Sequence, residues 1–269
     1  MMMKFLFVTI ISISLLTPTL GQTKLLISSD GDTIQLDLFE DAFDLTGKRL
    51  YYDQNMILRS EVLFHKGLIN GSAKYYYENG QLGEIGSCVE GLKQGEWNSF
   101  YENGVQQSSG NYDTVKVGEW AYWWNNGKLK AKGEYILGLK AGSWKYYNSD
   151  GNLESEGSFQ QGVKHGLWTV YHNNNNLQKK GSYKDGERDG YWLQYYPNGS
   201  TESEGNFEKG LKVGEWKYYN DLGEIRMKGP YKRGQRHGNW ELYDEDSETA
   251  VNYIFFRNGI KKRVKNWLR

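Results

Sequence analysis

Short runs of alternating character recur along this chain at a fixed spacing. In Trp216-Lys217-Tyr218, for example, two large rings stand two residues apart with a polar residue between them. An alternation of period two is typical of β-strands, and a fixed longer period is typical of stacked repeats. The clearest marker of that period is a tryptophan that returns after 23 residues once and after 24 residues each later time: Trp97, Trp120, Trp144, Trp168, Trp192, Trp216 and Trp240.

Each repeat is numbered here from position 0, the glycine two residues before the tryptophan. These glycines are Gly95, Gly118, Gly142, Gly166, Gly190, Gly214 and Gly238, and the frame extends back to Gly71 and Gly47. Position 5 is aromatic in every repeat, position 15 is glycine in most, and position 17 is usually Tyr or Phe. The pattern predicts an all-β fold, an elongated array of stacked antiparallel β-hairpins in about nine 24-residue units.

Two turns punctuate each repeat. Positions 8 and 9 are often Asn-Gly, as in Asn198-Gly199, which predicts a two-residue type I′ turn because both residues tolerate positive φ. Asn175-Asn176 and Leu222-Gly223 are weaker versions. A second turn has the form Gly-x-x-x-Gly, as in Gly138 to Gly142.

A turn at positions 8 and 9 pairs positions that sum to 17. Trp at position 2 then faces Gly at position 15, and we expect its ring to cover that glycine thirteen residues later. Strand alternation places positions 2, 4 and 17 on one packing face and positions 3, 5 and 14 on the other. A bulge near position 4 would instead bring the two aromatic rows together, and both arrangements stay open.

The two ends differ from the repeats. Residues 1–21 combine Lys4, an apolar run and small residues at Thr19 and Gly21, which predicts a cleaved signal peptide. Residues 22–46 are expected to form an N-terminal capping segment, residues 47–261 the nine repeats, and residues 262–269 a basic C-terminal tail. We therefore expect an exported protein without a transmembrane anchor after cleavage, located in the periplasm, at the cell surface or outside the cell.

Composition narrows the function classes. The chain has 33 basic and 33 acidic residues, so it lacks the electrostatic signature of a nucleic-acid-binding protein. Its single cysteine, Cys88, stands in an aromatic slot and is expected to be a buried thiol. Absence of a disulfide pair fits a bacterial exported protein. We find no catalytic, cofactor-binding or metal-binding motif, and the four histidines lack metal-ligand spacing.

Two sets of residues are candidate binding surfaces. The first is a basic row in the second turn, a candidate binding ridge for an acidic partner, an anionic polymer or, weakly, anionic lipid: Lys93, Lys140, Lys164, Arg188, Lys212 and Arg236. The alternative is a solvated row that discourages edge aggregation. The second is the tryptophan row, which either packs the sheet or offers rings to a sugar. We interpret the tryptophans as structural.

Stretches such as Gly190-Tyr191-Trp192-Leu193-Gln194-Tyr195-Tyr196-Pro197-Asn198-Gly199 resemble the MORN repeats, in particular their bacterial variant form, over about residues 47–260. The resemblance implies stacked β-hairpins and a non-enzymatic interaction or scaffold protein that binds a protein or a cell-surface polymer. One alternative is a cell-wall or glycan-binding module. The other is an antitoxin or immunity protein, a label that some relatives carry.

Overall fold

The structure is a computed structural model of the 269-residue chain and describes residues 24–27, 33–36, 46–244 and 252–266. The predicted signal peptide, residues 1–21, lies outside the described residues. The chain divides into two compact units, Met1–Gly127 and Lys128–Arg269. Both are built from antiparallel strands. Among the described residues, no helix has the length and apolar character required to cross a membrane.

The described residues of the first unit form nine strands: β1 (Lys24–Ile27), β2 (Thr33–Leu36), β3 (Gly47–Tyr52), β4 (Leu58–His65), β5 (Leu68–Tyr76), β6 (Leu82–Val89), β7 (Leu92–Phe100), β8 (Gln106–Asp113) and β9 (Val115–Trp123). Each strand pairs antiparallel with the next. The predicted capping segment thus contributes two strands, and β2 pairs with the first repeat strand, β3.

In the second unit, the part of the chain that the structure describes forms thirteen strands: β10 (Leu129–Ile136), β11 (Leu139–Tyr147), β12 (Leu153–Gln160), β13 (Val163–Tyr171), β14 (Leu177–Lys184), β15 (Glu187–Tyr195), β16 (Thr201–Glu208), β17 (Leu211–Tyr219), β18 (Ile225–Lys232), β19 (Gln235–Arg236), β20 (Gly238–Leu242), β21 (Asn252–Arg257) and β22 (Ile260–Asn266). Successive strands again pair antiparallel up to β19, β18 pairs with both β19 and β20, and β20 pairs with β21. Strand β22 includes residues 262–266 of the predicted basic tail and pairs with β21.

The predicted hairpin register is confirmed. Trp168 pairs with Gly181, and Gly166 pairs with Tyr183, so positions 2 and 15 and positions 0 and 17 face each other. The register shifts by one residue between Val170 and Tyr171. The bulge that the sequence left open therefore exists, and it lies between positions 4 and 5. Positions 4 and 5 nevertheless lie on opposite faces of the sheet, as their different contacts below demonstrate.

The predicted type I′ turn at positions 8 and 9 is wrong. In the hairpin of β15 and β16, the Gly199 amide donates to the Tyr196 carbonyl at 2.9 Å, and Gly199 alone of the Asn198-Gly199 pair has positive φ. This is a type I turn that ends in a left-handed glycine. Its physical reason is that Asn198 Oδ1 accepts the Ser200 amide at 3.0 Å. That local bond holds the asparagine in an Asx turn instead of a left-handed conformation.

The weaker turn signal after β13 is displaced by one residue. Asn174 Oδ1 accepts the Asn176 amide at 3.1 Å, while Asn175 has φ 68° and occupies the usual glycine position. The turn pair is therefore Asn174-Asn175 and not Asn175-Asn176. Asparagine is the residue that best replaces glycine at positive φ.

Type I′ geometry occurs in the second turn. Gln161 and Gly162 have φ of 49° and 81°, and Leu137 and Gly138 have 49° and 78°. Positive φ at both central residues defines this turn, whose twist suits the flanking strands. In the second unit these turns also stack, because the Gly162 amide donates to the Lys140 carbonyl of the preceding turn at 3.0 Å.

The candidate aromatic and cationic face

Each repeat tryptophan is buried, and its ring covers a glycine of the preceding hairpin. A Cβ atom added to Gly157 would stand only 2.3 Å from Cδ2 of Trp168. Trp168 Nε1 donates to the Ser158 carbonyl at 3.0 Å. The ring is thus fixed over the glycine eleven residues earlier, and the expectation that it covers Gly181, thirteen residues later, is wrong. Gly181 lies under Trp192 instead.

The same arrangement occurs at all seven repeat tryptophans, which are at most 3% exposed. The other pairs are Gly86 with Trp97, Gly110 with Trp120, Gly133 with Trp144, Gly181 with Trp192, Gly205 with Trp216 and Gly229 with Trp240. Trp168 has Gly157 as its partner on one side and Gly181 on the other, and its side chain leans toward the earlier strand.

Position-17 rings separate successive tryptophans. The Tyr183 ring lies edge-on to Trp168 at 6.0 Å and to Trp192 at 5.2 Å. Position-4 rings add a stacked contact, as between Tyr146 and Trp144 at 5.9 Å. Edge-to-face and offset contacts at these distances are favourable for aromatic pairs. Positions 2, 4 and 17, together with the basic residue at position 22, are called the aromatic face from here on.

Every residue of the predicted basic row lies over a tryptophan ring of this face. Lys164 Nζ is 4.0 Å from the centre of the Trp168 ring, and Arg188 Cζ is 4.8 Å from that of Trp192. The other pairs are Lys93 with Trp97, Lys140 with Trp144, Lys212 with Trp216 and Arg236 with Trp240. Cation–π attraction is strongest for tryptophan. The row is therefore part of the packing as well as a candidate surface.

Sequence reasoning missed one member of the row. Lys116 Nζ lies 4.0 Å from the centre of the Trp120 ring. Its repeat is one residue shorter because Thr114 alone connects Asp113 and Val115, which pair with each other. Counting backward from the tryptophan would have found it, since the cation stands four residues before the ring in each of these repeats.

The electrostatics of the row reflect partial burial. Burial, and then the charge of Lys164, lower the pKa of Lys140 below its ordinary value of 10.5. Burial is also the main cause that lowers the pKa of Lys212. The Lys140 ammonium donates to the Tyr146 hydroxyl at 2.8 Å, and burial raises the pKa of that tyrosine.

The opposite face, called the polar face, carries ion pairs. Glu156 binds Lys145 at 3.1 Å and accepts a hydrogen bond from the Tyr171 hydroxyl at 3.0 Å. In the first pair the glutamate stands at position 14 and the lysine at position 3. In the Lys228–Glu241 pair, also at 3.1 Å, the lysine stands at position 14 and the glutamate at position 3. Tyr171 stands at position 5, so the second aromatic row lies on this face, as predicted.

Side chains of the first turn link successive repeats. Asn198 Nδ2 donates to the Asp221 carbonyl at 2.7 Å, and the Tyr196 hydroxyl donates to the Tyr219 carbonyl at 2.8 Å. His172 occupies the same position as Tyr196 and bonds the Tyr195 carbonyl at 2.9 Å. This histidine is therefore part of the stacking of turns.

The second turn exposes aliphatic residues. Position 21 is apolar in most repeats and 42–55% exposed: Leu68, Leu92 and Val115 in the first unit, and Leu139, Val163 and Leu211 in the second. Leu139 Cδ2 would be 3.4 Å from a Cβ added to Gly162, so it lies against the next turn. These six residues are called the aliphatic row.

The described residues give little support for metal or thiol chemistry. The described residues contain no group of His, Cys, Asp or Glu side chains arranged to hold a metal ion. Cys88 is buried, as predicted, and burial raises the pKa of its thiol.

Comparison with known proteins identifies a family. No curated protein matches the chain. The crystal structure of TcdB2-TccC3 is similar at 12% identity and a TM-score of 0.20, over 90% of this chain and 14% of that chain. A Photorhabdus luminescens Tc holotoxin pore is similar at 14% identity and a TM-score of 0.20, over 87% of this chain and 13% of the other. The chain thus spans about a seventh of the length of these structures.

The family match rests on the repeats themselves. The model of the MORN repeat variant matches seven segments: 69–86, 93–113, 116–136, 140–161, 164–185, 188–209 and 212–233. They contain the aromatic-face residues described above except Arg236 and Trp240, which follow the last segment, and the stacked hairpins are those of a repeat scaffold or binding module. Because these segments cover more than half of its length, the chain belongs to the MORN repeat variant family.

Proposed function

We propose that the chain is an exported, non-enzymatic repeat protein that binds a partner protein along its stacked turns. The observation that carries this proposal is the aliphatic row. Leu139 is 50% exposed and Val163 46% exposed, although each stands at the base of an ordered type I′ turn. Apolar residues that recur in the open at a fixed position are typical of interaction surfaces.

The tryptophans are poor candidates for that role. Trp168 is 2% exposed, with Gly157 under its ring and the Lys164 ammonium above it. A sugar-stacking platform requires an accessible ring face. A protein-binding function is therefore better supported than a glycan-binding function that uses the tryptophan row.

Site-specific photo-cross-linking in the native cell tests the proposal. A photoreactive residue at Leu139 should give one discrete cross-linked protein. Leu222 is the matched control, because it is 79% exposed but stands on the first turn, outside the aliphatic row. Identical cross-links from both sites, or none from Leu139, would contradict partner binding along the aliphatic row.

Export has its own measurement. Cell fractionation should place the chain outside the cytoplasm, and mass spectrometry of the native protein should find Gln22 as its first residue. A cytoplasmic chain that retains residues 1–21 would refute the export part of the proposal and leave partner binding to be judged by cross-linking.

A further inference from the structure

Among the residues whose positions are described, the cations of the second unit's aromatic face have no acidic partner. They are Lys140, Lys164, Arg188, Lys212 and Arg236, called the cationic row from here on. In the described part of the chain, none of them has a carboxylate oxygen at ion-pair distance. The polar-face lysines of the same unit differ, because Lys145, Lys217 and Lys228 each pair with a glutamate.

The charged groups of the row are held in place. Lys212 Nζ lies 3.9 Å from the centre of the Trp216 ring and donates to the Tyr218 hydroxyl at 2.8 Å. Lys140 makes the same two contacts, with Trp144 and Tyr146. Because these side chains are ordered already, a bound anion would cost little further side-chain entropy.

Neighbouring members of the row are close enough to repel one another. The charge of Lys164 acts on Lys140, and the charges of Arg188 and Arg236 act on Lys212, each disfavouring the protonated form. Glu202 acts on Lys212 in the opposite sense, but the two do not form an ion pair. A row of partly buried like charges is stabilised by any anion that lies along it.

The spacing of the row defines the kind of anion. Each step crosses two strands, which is about 9.6 Å. A segment in the polyproline II conformation has three residues per turn and rises about 3.1 Å per residue, so its every third side chain lies on the same side at a spacing of about 9.3 Å. The four steps from Lys140 to Arg236 are matched by a segment of about thirteen residues.

We propose that the cationic row binds an acidic segment of a partner protein in the polyproline II conformation, with Asp or Glu at every third position. This inference rests on the proposed function, since the occupant is a protein. It adds a second surface, on the face opposite the polar face, and it states the chemistry of the partner.

Fluorescence anisotropy with the full chain and a synthetic probe tests the inference. The probe is a thirteen-residue Ser/Thr peptide with glutamate at positions 1, 4, 7, 10 and 13. A matched peptide of the same composition carries its five glutamates in one block. We expect the spaced peptide to bind at least about tenfold more tightly than the blocked one, because only the spaced peptide matches the row.

Substitutions identify the surface. The first variant combines Lys140→Met, Lys164→Met and Lys212→Met, which removes three charges while the methionine methylenes still cover the rings. It should weaken binding of the spaced peptide at least about tenfold. The control combines Lys145→Met, Lys217→Met and Lys228→Met, which changes the net charge equally on the polar face and should change affinity less than about twofold. A variant that combines Lys140→Arg, Lys164→Arg and Lys212→Arg should retain binding of the spaced peptide. Circular dichroism verifies that each variant is folded.

Several results would overturn the inference. They are no binding of the spaced peptide, equal binding of both peptides, equal loss in the two methionine variants, or displacement of the peptide by phosphatidylglycerol vesicles that bind through the same lysines. If the peptide fails while Leu139 still cross-links to a protein, the proposed function stands and this inference alone falls.

Discussion

Trp168 packs against Gly157 of the preceding hairpin, while its backbone also pairs with Gly181 of its own hairpin. Each tryptophan therefore joins two successive hairpins, and the glycine row provides the space in which the rings lie. This contact gives the sheet a buried layer of rings, although each hairpin contributes only two strands.

Trp168→Ala should destabilise the second unit by about 3–5 kcal/mol, because it removes a buried ring and leaves a cavity. The position of the damage is the sharper test. Hydrogen exchange should accelerate first around Gly157 and Ser158, whose carbonyl accepts the Trp168 Nε1 proton. Faster exchange confined to Gly181 would contradict the observed packing.

Gly157→Ala should cost about 1–3 kcal/mol or more, since the new methyl would overlap the Trp168 ring. Gly83→Ala is the control, because Gly83 is a strand glycine without positive φ whose added Cβ would be 3.2 Å from Tyr77. Urea denaturation measures both. Equal free energies of unfolding for the two variants would show that the glycine row is not required by the rings.

Gln161→Asn should stabilise the chain by about 0.5–1 kcal/mol, because Gln161 has φ 49° and asparagine tolerates this conformation better. Asp185→Asn is the control at the same turn position, where φ is 52° and the native residue already suits it. The midpoint temperature of thermal unfolding should rise for Gln161→Asn and remain nearly unchanged for Asp185→Asn. A fall for Gln161→Asn would contradict the turn assignment.

Asn198→Ala should cost about 1–2 kcal/mol, since Asn198 bonds both the Ser200 amide of its own turn and the Asp221 carbonyl of the next repeat. Leu222→Ala at the equivalent position should stay within about 0.5 kcal/mol, because that side chain is exposed. Chemical denaturation distinguishes them, and a loss of similar size in both would mean that inter-repeat bonding is not the cause.

Acid should weaken the polar face. The Lys145 ammonium, which hydrogen-bonds Glu156, holds the pKa of that carboxyl below its ordinary value of 4.5. A folded pKa below the unfolded one adds stability above pH 4.5, and this contribution is lost as the pH falls through the lowered value. The urea midpoint should therefore fall between about pH 5 and about pH 2.

Two variants isolate this carboxyl. Glu156→Gln should make the acid-induced fall shallower, whereas Glu154→Gln, at an exposed position beside it, should leave the slope unchanged. Identical pH profiles for the wild type and Glu156→Gln would argue against the ion pair as a source of stability.

The sequence predicted the strands, the pairing of positions 2 and 15, and the burial of Trp168, because these follow from periodicity alone. It could not indicate which glycine the ring covers, since Gly157 and Gly181 both pair with Trp168 and only side-chain direction separates them. The sequence led to the wrong turn type at Asn198. An Asn-Gly pair occurs both where the asparagine has positive φ and where its side chain bonds its own backbone, and the sequence alone does not distinguish the two.

The candidate surfaces were predicted less completely. The basic row was visible by counting from the glycine, except at Lys116, where the repeat is shorter. The contact of the basic row with the tryptophans was not predicted. The backbone between cation and ring is irregular at Gly142 or Gly166, so a spacing of four residues does not reveal that both side chains lie on the same face. The aliphatic row was overlooked, since isolated Leu and Val residues in a strand are ordinarily core.

The shorter connection at Thr114 shows where this architecture accepts a change of length. Lys116 remains above Trp120 although one residue of the turn is missing, because the cation, the ring and the covered glycine are set by the strands on either side. Length can therefore vary at that turn without disturbing its neighbours. By the same geometry, excising residues 166–189 would join two equivalent positions and leave Trp192 facing Gly157. Evolution could add or delete whole hairpins in this chain as single events, each leaving a foldable protein.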